Sequence, residues 1–270
     1  MKDKVCVITG GTDGIGKAAA YGLAVQGVRL LVHGRNPDKG ERAVAELKAR
    51  SGNSAIEFLP ADFRSLAEVR RLATAIEERT PRVDVLINNA GSIFVKRRLS
   101  EDGAEMTFAV NHLAPFLLTH LLLPALKTSG TGRVVTTASN AYRYHKIPFG
   151  DLHLTRDYSP MRAYGISKLA NILFTVAAAK RLTGTRVTAN CLHPGVIATK
   201  LLRAGFGMGG GSVERGARTS VYLATSPEVE GVTAKYFVDG QAATPSRRAR
   251  DDQLAEVLWE ASERTLAAWL

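Results

Sequence analysis

The chain is poor in cysteine: Cys6 and Cys191 are the only two in 270 residues. Each sits in an apolar run of strand character, and neither has a neighbour at metal-ligand spacing. A disulfide framework and a cysteine metal site are therefore excluded, and the expected setting is a reducing, cytoplasmic one. Long apolar runs are also lacking. Val5 to Ile8 is far too short for a secretory core. The longest apolar stretch, about 113–126, is interrupted by Pro115, His120 and Pro124 and falls short of the ~20 residues a membrane span needs. No span is expected, and that stretch reads as a buried helix. Repeats, low-complexity tracts and linkers are absent too, so one domain over 1–270 is expected. Acid is the scarcer charge, with 25 Asp and Glu against 36 Lys and Arg, a net +11. That balance favours anionic partners, yet no nucleic-acid recognition motif accompanies it. A phosphate-rich cofactor is the alternative.

What is present is an alternation. Apolar strand runs at 5–9, 28–33, 56–59, 83–87, 133–137, 187–192 and 235–238 are separated by helical patterns at 15–26, 37–50, 65–78, 103–127, 161–181 and 213–224. A helical tail follows at about 247–268. Strand–helix alternation of this kind means an α/β fold, a doubly wound parallel sheet of about seven strands with helices on both faces. Asn36 before Pro37 is placed to cap the second helix. Ser65 with Glu68 has capping-box spacing for the third. Two irregular stretches stand out as loops around a substrate: the aromatic one at 141–160, with Phe94 and Phe206 as further candidates, and the region 200–212, glycine-rich from 203 and expected to be a lid.

Ligands of such sheets bind beyond the carboxyl ends of the strands, and the polar motifs fall there. Gly10, Gly14 and Gly16 form a turn between the first strand and first helix. Glycine there lets the backbone approach a pyrophosphate, and the helix N-terminus offers free N–H groups. The end of the second strand has no Asp or Glu to hold a ribose 2′-hydroxyl. It carries Gly34 and Arg35 instead, which suits a 2′-phosphate and points to NADP(H) over NAD(H). Tyr164 and Lys168 are four apart on a helix and share a face. Unit charges 4 Å apart are worth ~4 kcal/mol at an effective dielectric of 20, enough to lower a pKa by ~3 units. The expectation is a tyrosine poised near neutrality for proton transfer.

Taken together these motifs resemble the short-chain dehydrogenase/reductase family over roughly 4–239. Thr9-Gly10-x-x-x-Gly14-x-Gly16, Asn88-Asn89-Ala90-Gly91, Asn111, Ser139, Tyr164, Lys168 and Pro194-Gly195 carry the likeness. The resemblance implies a catalytic set of Asn111, Ser139, Tyr164 and Lys168. It implies cofactor contacts from Gly10, Thr12, Asp13, Gly14, Ile15, Gly16, Arg35, Asp62, Phe63, Asn89, Ala90, Gly91, Tyr164, Lys168, Pro194, Gly195, Val196 and Thr199, and no metal. Tyr164 would exchange the proton, Ser139 would hold the substrate oxygen, Lys168 would lower the Tyr164 pKa and bind the nicotinamide ribose, and Asn111 would hold a water. The run from Ser167-Lys168-Leu169-Ala170-Asn171 to Phe174, the long interval from Ser139 to Tyr164, and the tail around Leu258-Trp259 are similar to the retinol-dehydrogenase-like branch. Membrane members of that branch carry an apolar N-terminal anchor that these 270 residues lack.

The expected function is an NADP(H)-dependent exchange of carbonyl and alcohol on a small, fairly apolar molecule. An epimerase or dehydratase of the same family, or a non-catalytic NADP-sensing regulator, are the alternatives. No specific nucleic-acid partner is expected. A homo-oligomer stays open, since related enzymes dimerise through the helices at 103–127 and 161–181 while others are monomers.

Overall fold

The computed structural model describes residues 1–199, 201 and 209–270. Phe206 and most of the expected lid lie outside them. The chain runs β1 (Val5–Ile8), α1 (Gly14–Ala24), β2 (Arg29–Gly34), α2 (Pro37–Ser51), β3 (Ile56–Pro60), α3 (Leu66–Glu77) and β4 (Val85–Asn88). It continues through α4 (Met106–Phe108), a π-helical turn (Ala109–Leu113), α5 (Ala114–Leu121), α6 (Leu123–Thr128), β5 (Arg133–Thr137) and α7 (Pro160–Arg181). Then come β6 (Thr188–His193), α8 (Val213–Thr225), β7 (Tyr236–Val238), β8 (Gln241–Ala243) and α9 (Asp252–Leu266).

The strand order is β3-β2-β1-β4-β5-β6-β7-β8. All neighbours pair in parallel except β7 with β8. The eighth strand, a short antiparallel edge absent from the sequence expectation, has only three residues and no apolar run to announce it. β1 shows why the central strands are apolar throughout. Its residues are all buried, and Val5 and Val7 pack into one core layer while Cys6 and Ile8 pack into the other. A strand covered on both faces has no polar side to alternate with.

Three local expectations change. Ser65 makes no side-chain cap on α3; Asp102 Oδ2 instead accepts from Leu66 N at 2.9 Å. Glu68 pairs with Arg71 at 2.6 Å rather than reaching back. The helical region from 103 starts only at Met106 and is broken by the π turn. There the Ala114 N–H bonds five residues back to the Ala109 carbonyl. Pro115 has no N–H to give the Asn111 carbonyl, so the α-helical register cannot run through this point.

Helix α7 begins as the sequence suggests, with Ser159 accepting from Arg162 N and Pro160 in the first turn. From Ala163 to Thr175 it is buried without a break. The sheet covers one side and α9 the other. Trp259 of α9 stacks on Phe174 with parallel rings 5.9 Å apart and lies 4.6 Å from Phe116. Arg181 caps the indole at 4.1 Å and pairs with Glu256.

Candidate active site

The carboxyl ends of β1, β2, β4, β5 and β6 open on one cleft of about 1720 Å³. Every catalytic or cofactor-binding candidate from the sequence except Asn111 lines it. β1 and β4 are adjacent here although β2 and β3 intervene in sequence, and this reversal of strand order is where such sheets make room for a ligand.

The glycine turn is held by β2 and β4. Gly10 has φ +65°, a conformation suited to glycine. Its N–H donates to His33 Nδ1 at 3.3 Å, and Asn89 Nδ2 donates to the Thr9 carbonyl at 2.9 Å. Thr9 Oγ1 accepts from the N–H groups of Asn89 and Ala90, each at 3.0 Å. A Cβ on Gly16 would sit 2.2 Å from the Gly10 carbonyl oxygen, so α1 can approach the turn only with glycine there. Above Gly14 an added Cβ would meet only the Thr199 methyl, at 3.5 Å. The turn is therefore closely packed behind and open toward the cleft, the shape a pyrophosphate cradle needs. Asp13 caps α1 through Gly14 N and pairs with Lys39 at 2.5 Å.

His33 had no role in the sequence reading. Its Nε2 lies 3.0 Å from the Ala61 carbonyl, its ring stacks on Phe63 at 4.2 Å, and burial pushes its pKa down to about 4. A neutral ring with the proton on Nε2 satisfies both contacts and leaves Nδ1 to accept from Gly10. The only sequence signal was a histidine inside an apolar strand. Phe63 thus spends its ring on His33. Asp62 is gripped by Arg64 Nε at 2.8 Å, and Arg35 is exposed nearby. Burial alone would raise the Asp62 carboxyl, but Arg64 and then Arg35 hold it below the ordinary range.

At the other end, Ser139 caps a short 3₁₀ turn (Asn140–Tyr144) and hydrogen-bonds the Tyr164 hydroxyl. Lys168 Nζ lies 5.5 Å from the centre of the Tyr164 ring and donates to the Thr137 carbonyl at 2.8 Å. Burial pushes Tyr164 up to about 12 and Lys168 down to about 8. The lowering expected for Tyr164 is thus outweighed here by desolvation, which disfavours both charged forms. Asn111 is fully buried. Its Oδ1 accepts from Ser92 N at 2.7 Å, and its Nδ2 donates to Ser92 O at 2.9 Å and Ser167 Oγ at 3.0 Å. Its side chain is committed to Ser92 of the loop after β4 and to Ser167 of α7.

The aromatic stretch is only partly a pocket wall. Tyr142 is buried with its hydroxyl accepting from Ser246 N, and the Tyr158 hydroxyl donates to the Phe94 carbonyl. Phe94, Tyr144, His145 and Met161 line the cleft. Beyond β6, Pro194, Gly195, Val196 and Thr199 border it, and Gly211 pairs with this segment through bonds to Val196 O and from Ala198 N.

The sequence profile of the family described as short chain dehydrogenase matches residues 4–206. The chain belongs to that family, and is an oxidoreductase of it. Among curated proteins it is similar to human retinol dehydrogenase 14, 39% identical, covering 97% of this chain and 86% of that one. Human retinol dehydrogenase 12 is 40% identical over the same shares, which places the likeness in the retinol-dehydrogenase branch. Among solved structures, a protein from Mycobacterium Paratuberculosis is 36% identical with a TM-score of 0.82, over 98% of this chain and 93% of that chain. The Pseudomonas aeruginosa RhlG/NADP active-site complex is 26% identical with a TM-score of 0.73, over 89% and 96%. Among the described residues no helix is long and apolar enough to cross a membrane.

Proposed function

We propose that the chain is an NADP(H)-dependent oxidoreductase that interconverts a carbonyl and an alcohol on a small, fairly apolar molecule, with Tyr164 as general acid and base. One observation carries this reading: hydrogen-bonded Ser139 and Tyr164 share a cleft with the glycine turn, with Lys168 buried beside them. A nicotinamide dinucleotide bound there supplies or accepts the hydride. Ser139 holds the substrate oxygen. In reduction Tyr164 gives its proton to that oxygen; in oxidation its phenolate takes the proton back. Burial keeps the phenol protonated, the form that reduction consumes. The Lys168 ammonium favours the phenolate by its charge. Phe94, Tyr144, Met161 and Val196 give the cleft an apolar wall, the usual lining for small-molecule sites.

The preference for NADP(H) rests on β2. A Cβ at Gly34 would sit 2.6 Å from the Thr12 methyl. A carboxylate side chain at that position therefore has no room unless Thr12 moves, while Arg35 stands at the rim with its charge available. A charge-assisted hydrogen bond is worth ~1.5–3 kcal/mol, or a ratio of roughly 10–150-fold. The wild-type protein is expected to favour NADPH by that factor in kcat/KM, and Arg35→Ala to erase most of it. Loss of NADPH absorbance over a panel of hydrophobic ketones, aldehydes and sugar phosphates tests both points. A wild-type preference for NADH, an unchanged ratio in Arg35→Ala, or a clear preference for the charged sugars would overturn the respective assignment.

A further inference from the structure

Lys168 is not held in place by its own contacts alone. The Thr137 carbonyl that accepts from its ammonium also accepts from Asn171 Nδ2 at 3.2 Å. Lys168 and Asn171 are three apart on α7, close enough for both to reach one carbonyl. Asn171 lies beside His112 of the π turn. His112 Nε2 in turn is 2.9 Å from Ser262 Oγ on α9. All four residues are buried.

The protons fix the direction of this row. Asn171 Oδ1 and His112 Nδ1 are both buried, and neither has a hydrogen-bond partner at ordinary geometry. If Ser262 donated to the Leu258 carbonyl, 2.8 Å away, His112 would carry its proton on Nε2 and both atoms would face each other as bare acceptors. If Ser262 donates to His112 Nε2, the proton sits on Nδ1 and the ring offers a donor to its neighbour Asn171. That tautomer sets a donor against an acceptor, the combination that folded interiors favour. The π turn matters here, because its extra residue sets the direction in which His112 projects from the helix.

We propose that Asn171 and His112, braced by Ser262 of the tail helix, are positioning residues that fix the Thr137 carbonyl and through it the Lys168 ammonium. The proposal rests on the role given to Lys168 above. It makes α9 a support of the active site rather than a cover for α7 alone. Among the described residues, the groups shown facing the row are uncharged apart from Lys168 itself. His112 meets Phe108, Phe116 and Phe174, while Lys168 meets Thr137 and the Tyr164 ring.

Two measurements decide it. Carbon and nitrogen NMR of labelled histidine in the wild-type protein, with the His112 signal assigned by its loss in His112→Gln, should show the Nδ1–H tautomer; the Nε2–H tautomer overturns the row. In Asn171→Ala, and more weakly in Ser262→Ala, kcat should fall about 10-fold, equivalent to one unit in the pKa relation, with the KM for the carbonyl within twofold. Lysine-labelled NMR should show the Lys168 titration moving to lower pH, because its charged form loses a fixed acceptor. A merely structural role would lower Tm and leave this titration and the pH profile of turnover unmoved. Wild-type kcat and an unmoved Lys168 titration in folded Asn171→Ala and Ser262→Ala overturn the proposal. A wild-type protein that reduces no carbonyl counts against the proposed function instead, and the two NMR readouts still decide the positioning.

Discussion

Tyr164→Phe is expected to lower turnover by at least ~10²–10⁴-fold, the range for loss of a general acid or base, while leaving the fold and the NADPH affinity intact. The substitution keeps the buried ring and removes only the hydroxyl that bonds Ser139. Nothing at the glycine turn or Arg35 is touched. Lys168→Met gives the contrasting case. It removes the ammonium that lies 5.5 Å from the ring and bonds Thr137. Alcohol oxidation needs the phenolate, so its wild-type rate should climb with pH toward the raised tyrosine pKa, up to about 12. The ammonium itself is lost above about 8, so Lys168→Met should depress oxidation most below that pH, where the cation is present to favour the phenolate. Steady-state rates in both directions across pH check this. Near-normal turnover in Tyr164→Phe would reject the catalytic assignment and favour a cofactor-sensing role.

Gly16→Ala should be the most damaging single change at the cofactor end. Its Cβ would lie 2.2 Å from the Gly10 carbonyl oxygen and 2.4 Å from Asn89 Nδ2. Neither neighbour can yield cheaply: one is backbone, and the other is tied to Thr9 O. Overpacking of this kind costs ~1–3 kcal/mol, so NADPH affinity should fall roughly 5–150-fold, with a drop in Tm. Gly150→Ala is the control, since nothing lies within 4 Å of a Cβ there. Fluorescence titration with NADPH beside thermal melts gives the answer. Equal affinities in the two variants would mean that the turn does not cradle the cofactor.

The glycine turn, Asn89, Ser139, Tyr164 and Lys168 were legible because each stands at a strand end or on a helix whose apolar period marks its place. The cap of α3 was not. Ser65 had the right spacing, but Asp102, a residue 36 positions away, takes the Leu66 N–H. Asn111 was found by its position, yet the commitment of its amide to Ser92 depends on how the loop after β4 folds back.

The sequence by itself determined the parallel sheet, its central strands and the list of residues at its carboxyl edge. Periodicity and turn chemistry are local, and a buried strand must be apolar wherever it ends up. Only the tertiary structure decided that Gly34 leaves no room beside Thr12, that His33 braces the turn, and that α9 packs on α7 and meets His112 through Ser262, 150 positions distant. These depend on which side chains meet across the core. Burial then sets the proton positions, because an unpaired polar atom there has no water to turn to.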